Sequence, residues 1–226
     1  METKEVLLTF LRGREYLFSL YHKLLGAEPT RELVEAACSD DSLKVVGLFD
    51  SEDNDAAKRM QEVLGGCRGA DEEKLSRMKD EYTRLFFGPE DMIAPPWESV
   101  YTSKDRALFQ MSTLAVRNWY EKYHYLPAAY PRFPDDHISL MMHFLELTTG
   151  KAIQYLEDER LPECRNILEG QKLFEEKHLL NWVPSYAADM QQSPTKEFYP
   201  AFAGALSGML AYDKSVLEEI LEILSD

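Results

Sequence analysis

The amino-acid sequence predicts an all-α protein built as a single globular multi-helix domain spanning 1–226. Apolar residues recur every three or four positions along most of the chain, and glycine or proline falls between those stretches. No segment shows the period-two alternation of a half-buried strand, and no internal repeat or low-complexity tract divides the chain. At 226 residues, 45% of them hydrophobic and 29% charged, it has enough apolar material to bury a large core without metal or disulfide support.

The elements follow in order. Over residues 2 to 25, Leu7, Leu11, Phe18, Tyr21 and Leu25 share one helical face, and Gly26 with Pro29 supplies the stop. Short helices are expected over 30 to 37 and within 41 to 50. Residues 53 to 64 hold few apolar positions, which predicts a surface helix ending at Gly65-Gly66-Cys67-Arg68-Gly69. That glycine cluster lacks the Lys-Ser/Thr of a phosphate loop and follows no strand, so it reads as a turn. From 71 to 87, Leu75, Met78, Tyr82, Leu85 and Phe86 return to helical spacing until Gly88-Pro89. A proline-stiffened acidic loop over 88 to 102 carries Trp97. A helix over 103 to 124 is expected to face inward through Leu108, Met111, Ala115 and Trp119, with Phe109, Val116, Tyr120 and Tyr123 widening that face. Pro127, Pro131 and Pro134 forbid a continuous helix across 126 to 134. Asp135 or Asp136 is then expected to cap a central helix whose stripe includes Ile138, Met141, Met142 and Leu145, with Leu140, Phe144 and Leu147 as a second apolar face. Pro162 and Pro184 restart the chain into two further helices. A last helix from about Lys196 turns Phe198, Ala201, Phe202, Ala205 and Met209 inward.

Charge limits the partners. Lys and Arg number 25 against 40 Asp and Glu, a formal net charge of −15, which opposes binding to nucleic acid or to an anionic membrane and favours a cationic partner. Cys38, Cys67 and Cys164 are odd in number and lack metal-ligand spacing, so they read as reduced thiols. The charged N-terminus has no apolar signal region and no run reaches transmembrane length; a cytoplasmic location is expected.

Catalysis and metal binding find little support. Ser99, Cys164 and the Asp136-His137 pair are the candidates for hydrolase chemistry, and none sits in a nucleophile elbow or a local family signature. Histidines at 22, 124, 137, 143 and 178 are scattered, and no inward Glu-x-x-His pairs appear. His137 after two aspartates has two readings: a charge switch near neutrality, or a packed ring beside an aspartate cap. Trp97 likewise either closes a rigid loop over the core or rims an apolar groove built with Tyr82, Leu85 and Phe86, the kind of groove that receives a peptide.

Four blocks in order carry a resemblance. Tyr82-Thr83-Arg84-Leu85-Phe86 is similar to an aromatic-x-x-Leu-Phe motif, Ala94-Pro95-Pro96-Trp97-Glu98-Ser99-Val100-Tyr101 to a proline, tryptophan and Ser-Val-Tyr loop, and Phe133-Pro134-Asp135-Asp136-His137 to a Glu-Pro-x-Asp-His motif. His178-Leu179-Leu180-Asn181-Trp182 resembles a late His-Leu-x-x-Trp segment. All four are features of the TorD/DmsD family of redox-enzyme maturation chaperones, which proofread twin-arginine signal peptides. Phe133 stands where that family carries an acidic residue.

The resemblance implies a cytoplasmic, non-enzymatic chaperone without a cofactor of its own. It would bind the twin-arginine signal peptide of a molybdopterin oxidoreductase precursor until cofactor insertion is complete, before export. It places the peptide site at Tyr82, Leu85, Phe86, Pro96, Trp97, Pro134, Asp136 and His137. It also brings weak guanine-nucleotide binding by some relatives, with no residue here to locate it, and either a monomer or an exchanged-helix dimer hinged at 126–134. Two other functions stay open: an assembly chaperone acting on the mature region of a cytoplasmic nitrate-reductase-like subunit, and a nucleotide hydrolase.

Overall fold

The structure is a computed structural model that describes residues 2–52, 54–88, 92–127 and 134–225, with Glu2 described by its backbone alone. Among these residues it contains eleven helices and no strand, only two isolated bridges. They are α1 (Glu2–Gly26), α2 (Arg31–Ala37), α3 (Asp40–Gly47), α4 (Ala56–Gly65), α5 (Glu72–Phe86), α6 (Glu98–Thr102), α7 (Met111–Lys122), α8 (Ile138–Glu157), α9 (Leu161–His178), α10 (Val183–Met190) and α11 (Tyr199–Ile223).

Local chemistry sets most of the boundaries. Thr30, Ser39 and Asp71 each accept a backbone N–H with the side chain at the start of α2, α3 and α5. Prolines stand in the first turn of α9, α10 and α11, where the missing N–H costs nothing. The start of α11 is capped from a distance: the buried carboxylate of Glu81 on α5 accepts the N–H groups of Glu197, Phe198 and Tyr199 at 2.8 to 2.9 Å.

The two long helices α1 and α8 lie along each other, α9 packs against α8, and α11 closes the core against α9, α10 and α4. Met141, Met142, Phe144 and Leu145 give α8 a nearly continuous buried surface, as expected of a central helix. A buried ion network ties three of these helices together. The Arg14 guanidinium on α1 donates to Asp213 on α11 at 2.7 and 2.8 Å, and to Gln171 and Glu175 on α9 at 2.9 and 3.3 Å. Burial pushes the Glu175 carboxyl above the usual range, and the neighbouring Asp213 carboxylate adds to the rise.

Several expectations fail for identifiable reasons. The surface helix is not on the surface: Ala56, Ala57, Met60 and Leu64 of α4 are buried. Small residues allow it, since a Cβ on Gly208 of α11 would lie 2.8 Å from the Ala56 Cβ. The helix foreseen over 103 to 124 begins only at Met111. Arg106 and Phe109 take left-handed φ values of 49° and 58°, which no helix contains. Val116 and Tyr120 face inward as foreseen, joined by Thr113, whereas Trp119 is only partly buried and Met111 is 78% exposed. Residues 98 to 102, expected as loop, form α6. Leu147 of α8 and Ala201 of α11 face outward. All three cysteines are buried and free. Of the hinge foreseen at 126–134, only Leu126, Pro127 and Pro134 belong to the described residues, and Phe133 lies outside them.

Candidate functional site

The second and third sequence blocks meet as a pair of short extended segments. Ile138 N–H donates to the Pro96 carbonyl at 2.9 Å and Glu98 N–H to the Asp136 carbonyl at 3.1 Å, which sets Trp97 opposite His137. The Trp97 and His137 rings touch edge to face, with centroids 5.3 Å apart. Both residues keep partial exposure, whereas Pro96 and Pro134 are buried.

Asp136 locks this arrangement. It is 0% exposed; Oδ2 accepts the Ser99 N–H at 2.7 Å and Oδ1 the Thr113 hydroxyl at 2.9 Å. One carboxylate thereby caps α6 and anchors α7 to the loop. Asp135, also buried, receives Arg117 at 2.7 Å, and its carbonyl accepts the Tyr120 hydroxyl at 2.9 Å. Neither aspartate caps α8, contrary to expectation. His137 does, its Nδ1 accepting the Ser139 N–H at 3.1 Å.

That role requires a neutral imidazole. Burial lowers the His137 pKa to about 4, with His22 adding to the effect, so the ring is no charge switch near neutrality. Nor do Ser99 and Asp136 resemble a nucleophile with its base: the Ser99 hydroxyl has no hydrogen-bond partner among the described residues, and the carboxylate is occupied. Burial raises the Cys164 thiol to about 11. No group of three His, Cys, Asp or Glu able to hold a metal occurs among the described residues.

The fourth block folds onto the second. His178 at the end of α9 bonds Glu98 at 3.0 Å, and Tyr101 stacks on Trp182 with centroids 5.3 Å apart. Burial raises the Glu98 carboxyl above its usual range against the pull of His178. The Trp182 indole N–H closes back on the His178 carbonyl at 2.6 Å.

The first block is placed differently. Tyr82, Leu85 and Phe86 are buried, Tyr82 against Phe86 and Tyr199, and Phe86 against Tyr186 as well. Their tie to the second block is the Ala94 N–H to the Leu85 carbonyl at 3.3 Å. They form a packed floor, not the open groove expected of them. Among the eight predicted site residues the structure joins Pro96, Trp97, Asp136 and His137 in one paired segment, buries Pro134 just before it, and leaves Tyr82, Leu85 and Phe86 in the packed floor. Sequence reasoning missed Thr113, Arg117 and Tyr120, although their spacing of four and three along α7 marks one helical face.

The comparisons fit this architecture. The chaperone protein TorD of Aliivibrio fischeri is 25% identical over 93% of this chain and 97% of its own length. The Tat proofreading chaperone DmsD of Salmonella typhi is 26% identical over 85% and 86%. A probable Tat proofreading chaperone DmsD of Haemophilus influenzae is 27% identical, over 55% of this chain and 54% of its own length. The fold matches that of a redox enzyme maturation protein from Archaeoglobus fulgidus, with a TM-score of 0.51 at 20% identity over 88% of this chain and 93% of that one. The two relatives that span most of the chain are chaperones by name, and the solved structure shares this chain's fold. Residues 47–188, more than half of the chain, match the model of the family described as nitrate reductase delta subunit. The chain belongs to that family, of which TorD and DmsD chaperones are members.

Proposed function

We propose that this protein binds the twin-arginine signal peptide of a molybdopterin oxidoreductase precursor in the cytoplasm and holds it until cofactor insertion is complete, before export. The observation that carries the reading is the Trp97–His137 contact, where a partly exposed aromatic edge is held in place by the Asp136 latch. A rigid, partly exposed tryptophan is a good anchor for an apolar peptide because little side-chain freedom remains to be lost on binding. The net charge of −15 steers a basic segment toward the surface. In this reading Trp97 and His137 meet the peptide, whereas Pro96, Pro134, Asp136, Tyr82, Leu85 and Phe86 hold those two in place.

A second reading is favoured by the family description itself: the chain assists assembly of a cytoplasmic nitrate-reductase-like subunit through its mature region. Calorimetric titration with a leader peptide, beside titration with the same client lacking its leader, separates the two. Binding of the leader alone supports the first reading, and binding that survives leader deletion supports the second.

A further inference from the structure

Two of the three cysteines, far apart in sequence, meet in the fold. Cys38 ends α2, its N–H donating to the Val34 carbonyl at 3.0 Å, and Cys67 lies in the turn after α4, its N–H donating to the Leu64 carbonyl at 3.0 Å. Both are buried, and the Cys38 S–H donates to the Cys67 sulfur. Each thiol stands at the end of a helix or in a turn, where a small backbone movement is enough to bring hydrogen-bonded sulfurs to bonding distance. Cys164 on α9 has no such neighbour: burial alone acts on its thiol.

The contact makes the two thiols unequal. Accepting the Cys38 proton pulls the Cys67 thiol below its usual range against the effect of burial, and the Lys74 ammonium adds to the pull. Giving that proton, together with burial, pushes the Cys38 thiol up. The cations are fixed in place around the turn. Lys74 donates to the Gly66 carbonyl at 2.6 Å, Arg31 to the Ala70 carbonyl at 3.1 Å, and Arg68 pairs with Asp40.

Burial does not seal the pair. A cleft of about 120 Å³ is lined by Cys67 with Arg31 and Leu75, and a second of about 320 Å³ by Cys38 with Ser39 and Arg68; Glu35 and Gly69 line both. Gly69 takes a left-handed φ of 66°, and a Cβ there would meet no atom within 4 Å, so open space lies beside the turn. The smaller cleft has room for only a few molecules the size of water, which admits hydrogen peroxide more readily than a bulky disulfide such as oxidised glutathione.

We propose that Cys38 and Cys67 are a peroxide-responsive dithiol, with Cys67 attacking and Cys38 resolving, that closes to an intramolecular disulfide. The Cys67 thiolate attacks one oxygen of hydrogen peroxide; an S–O bond forms, the O–O bond breaks, and the departing hydroxide takes the proton that Cys67 released to give water. The Cys38 sulfur then attacks the Cys67 sulfenic sulfur; the S–S bond forms, the S–O bond breaks, and hydroxide leaves with the Cys38 proton as a second water. The two thiols lose two electrons and two protons, and the peroxide is reduced to two waters. The bridge ties the end of α2 to the turn after α4 and so brackets α3 and α4, the latter packed against α11.

Titration of the reduced full chain with hydrogen peroxide tests it, read by intact mass, by maleimide labelling of the remaining thiols and by peptide mapping without reductant. The expected result is loss of two hydrogens, a single thiol left to label at Cys164, a cross-linked peptide joining Cys38 to Cys67, and a melting temperature higher by about 5 °C, all reversed by dithiothreitol. Cys38→Ser should halt at a Cys67 sulfenic acid that dimedone traps, Cys67→Ser should oxidise at Cys38 at least about tenfold more slowly, and Cys164→Ser should behave as the wild type. The wild-type map stands whether or not the serine variants fold. Oxidation of Cys38 and Cys67 no faster than that of Cys164 would overturn the proposal. So would a wild-type map showing a bridge between two copies of the chain, or Cys67 carried on to sulfinic acid without a bridge.

Discussion

Asp136 is the residue on which the site's shape depends, and its burial changes what a substitution there would mean. Both carboxylate oxygens are taken by Ser99 and Thr113, so the side chain acts on a peptide only through the loop that it positions. Asp136→Ala leaves the Ser99 N–H unsatisfied in a buried setting and should cost about 2 to 3 kcal/mol in urea unfolding. Asp136→Asn retains an acceptor and should cost less. Its neighbour His137 sets a pH dependence. The ordinary imidazole pKa near 6.5 applies to the unfolded chain and falls to about 4 in the fold. As pH drops below 6.5 the unfolded chain takes up the proton first, so this contribution to stability is complete above 6.5 and is lost as pH falls toward 4, at no more than about 1.4 kcal/mol per unit. Glu98, with its carboxyl raised, changes stability in the opposite direction. A comparison of wild type with His137→Asn removes that term, and the variant should lose less stability than the wild type between pH 6.5 and 4. The sequence identified both residues but not their work: which aspartate oxygen caps which helix depends on where α6 and α7 arrive, and no local pattern encodes that.

At the scale of elements, the legible helices were those with a wide apolar stripe and a chemical stop. The residues 2 to 25 ended at glycine as expected, and α5 and α8 fell within a residue or so of their apolar patterns. Two helices were foreseen but misplaced in part: the burial of α4, where alanines and Gly208 replace bulk with close approach, and the start of α7, where a left-handed turn at Arg106 and Phe109 intervenes with neither glycine nor proline to announce it. The buried network around Arg14 was equally hidden, because its members lie on α1, α9 and α11. One cation faces two carboxylates there, so removing it leaves both uncompensated. Arg14→Met should lower stability by about 3 to 5 kcal/mol in chemical unfolding, and replacing Asp213 and Glu175 by leucine in the same chain should recover most of the loss.

For the whole molecule, four short blocks far apart in sequence proved to be parts of one assembly, with the second, third and fourth in direct contact and the first as its floor. Their order predicted the family; their side-chain roles emerged only with the fold, which buried six of the eight residues expected to face a peptide. What remains partly exposed is an aromatic edge at Trp97 and His137 on a strongly acidic protein. Calorimetric titration of the full chain with the leader peptide of a molybdoenzyme precursor encoded beside it tests the central claim most directly. Saturable binding at one peptide per chain, weakened about tenfold or more when the two arginines become glutamine and again by Trp97→Ala, is the predicted result. Absence of binding to every such leader, at concentrations where the protein remains folded, would contradict it.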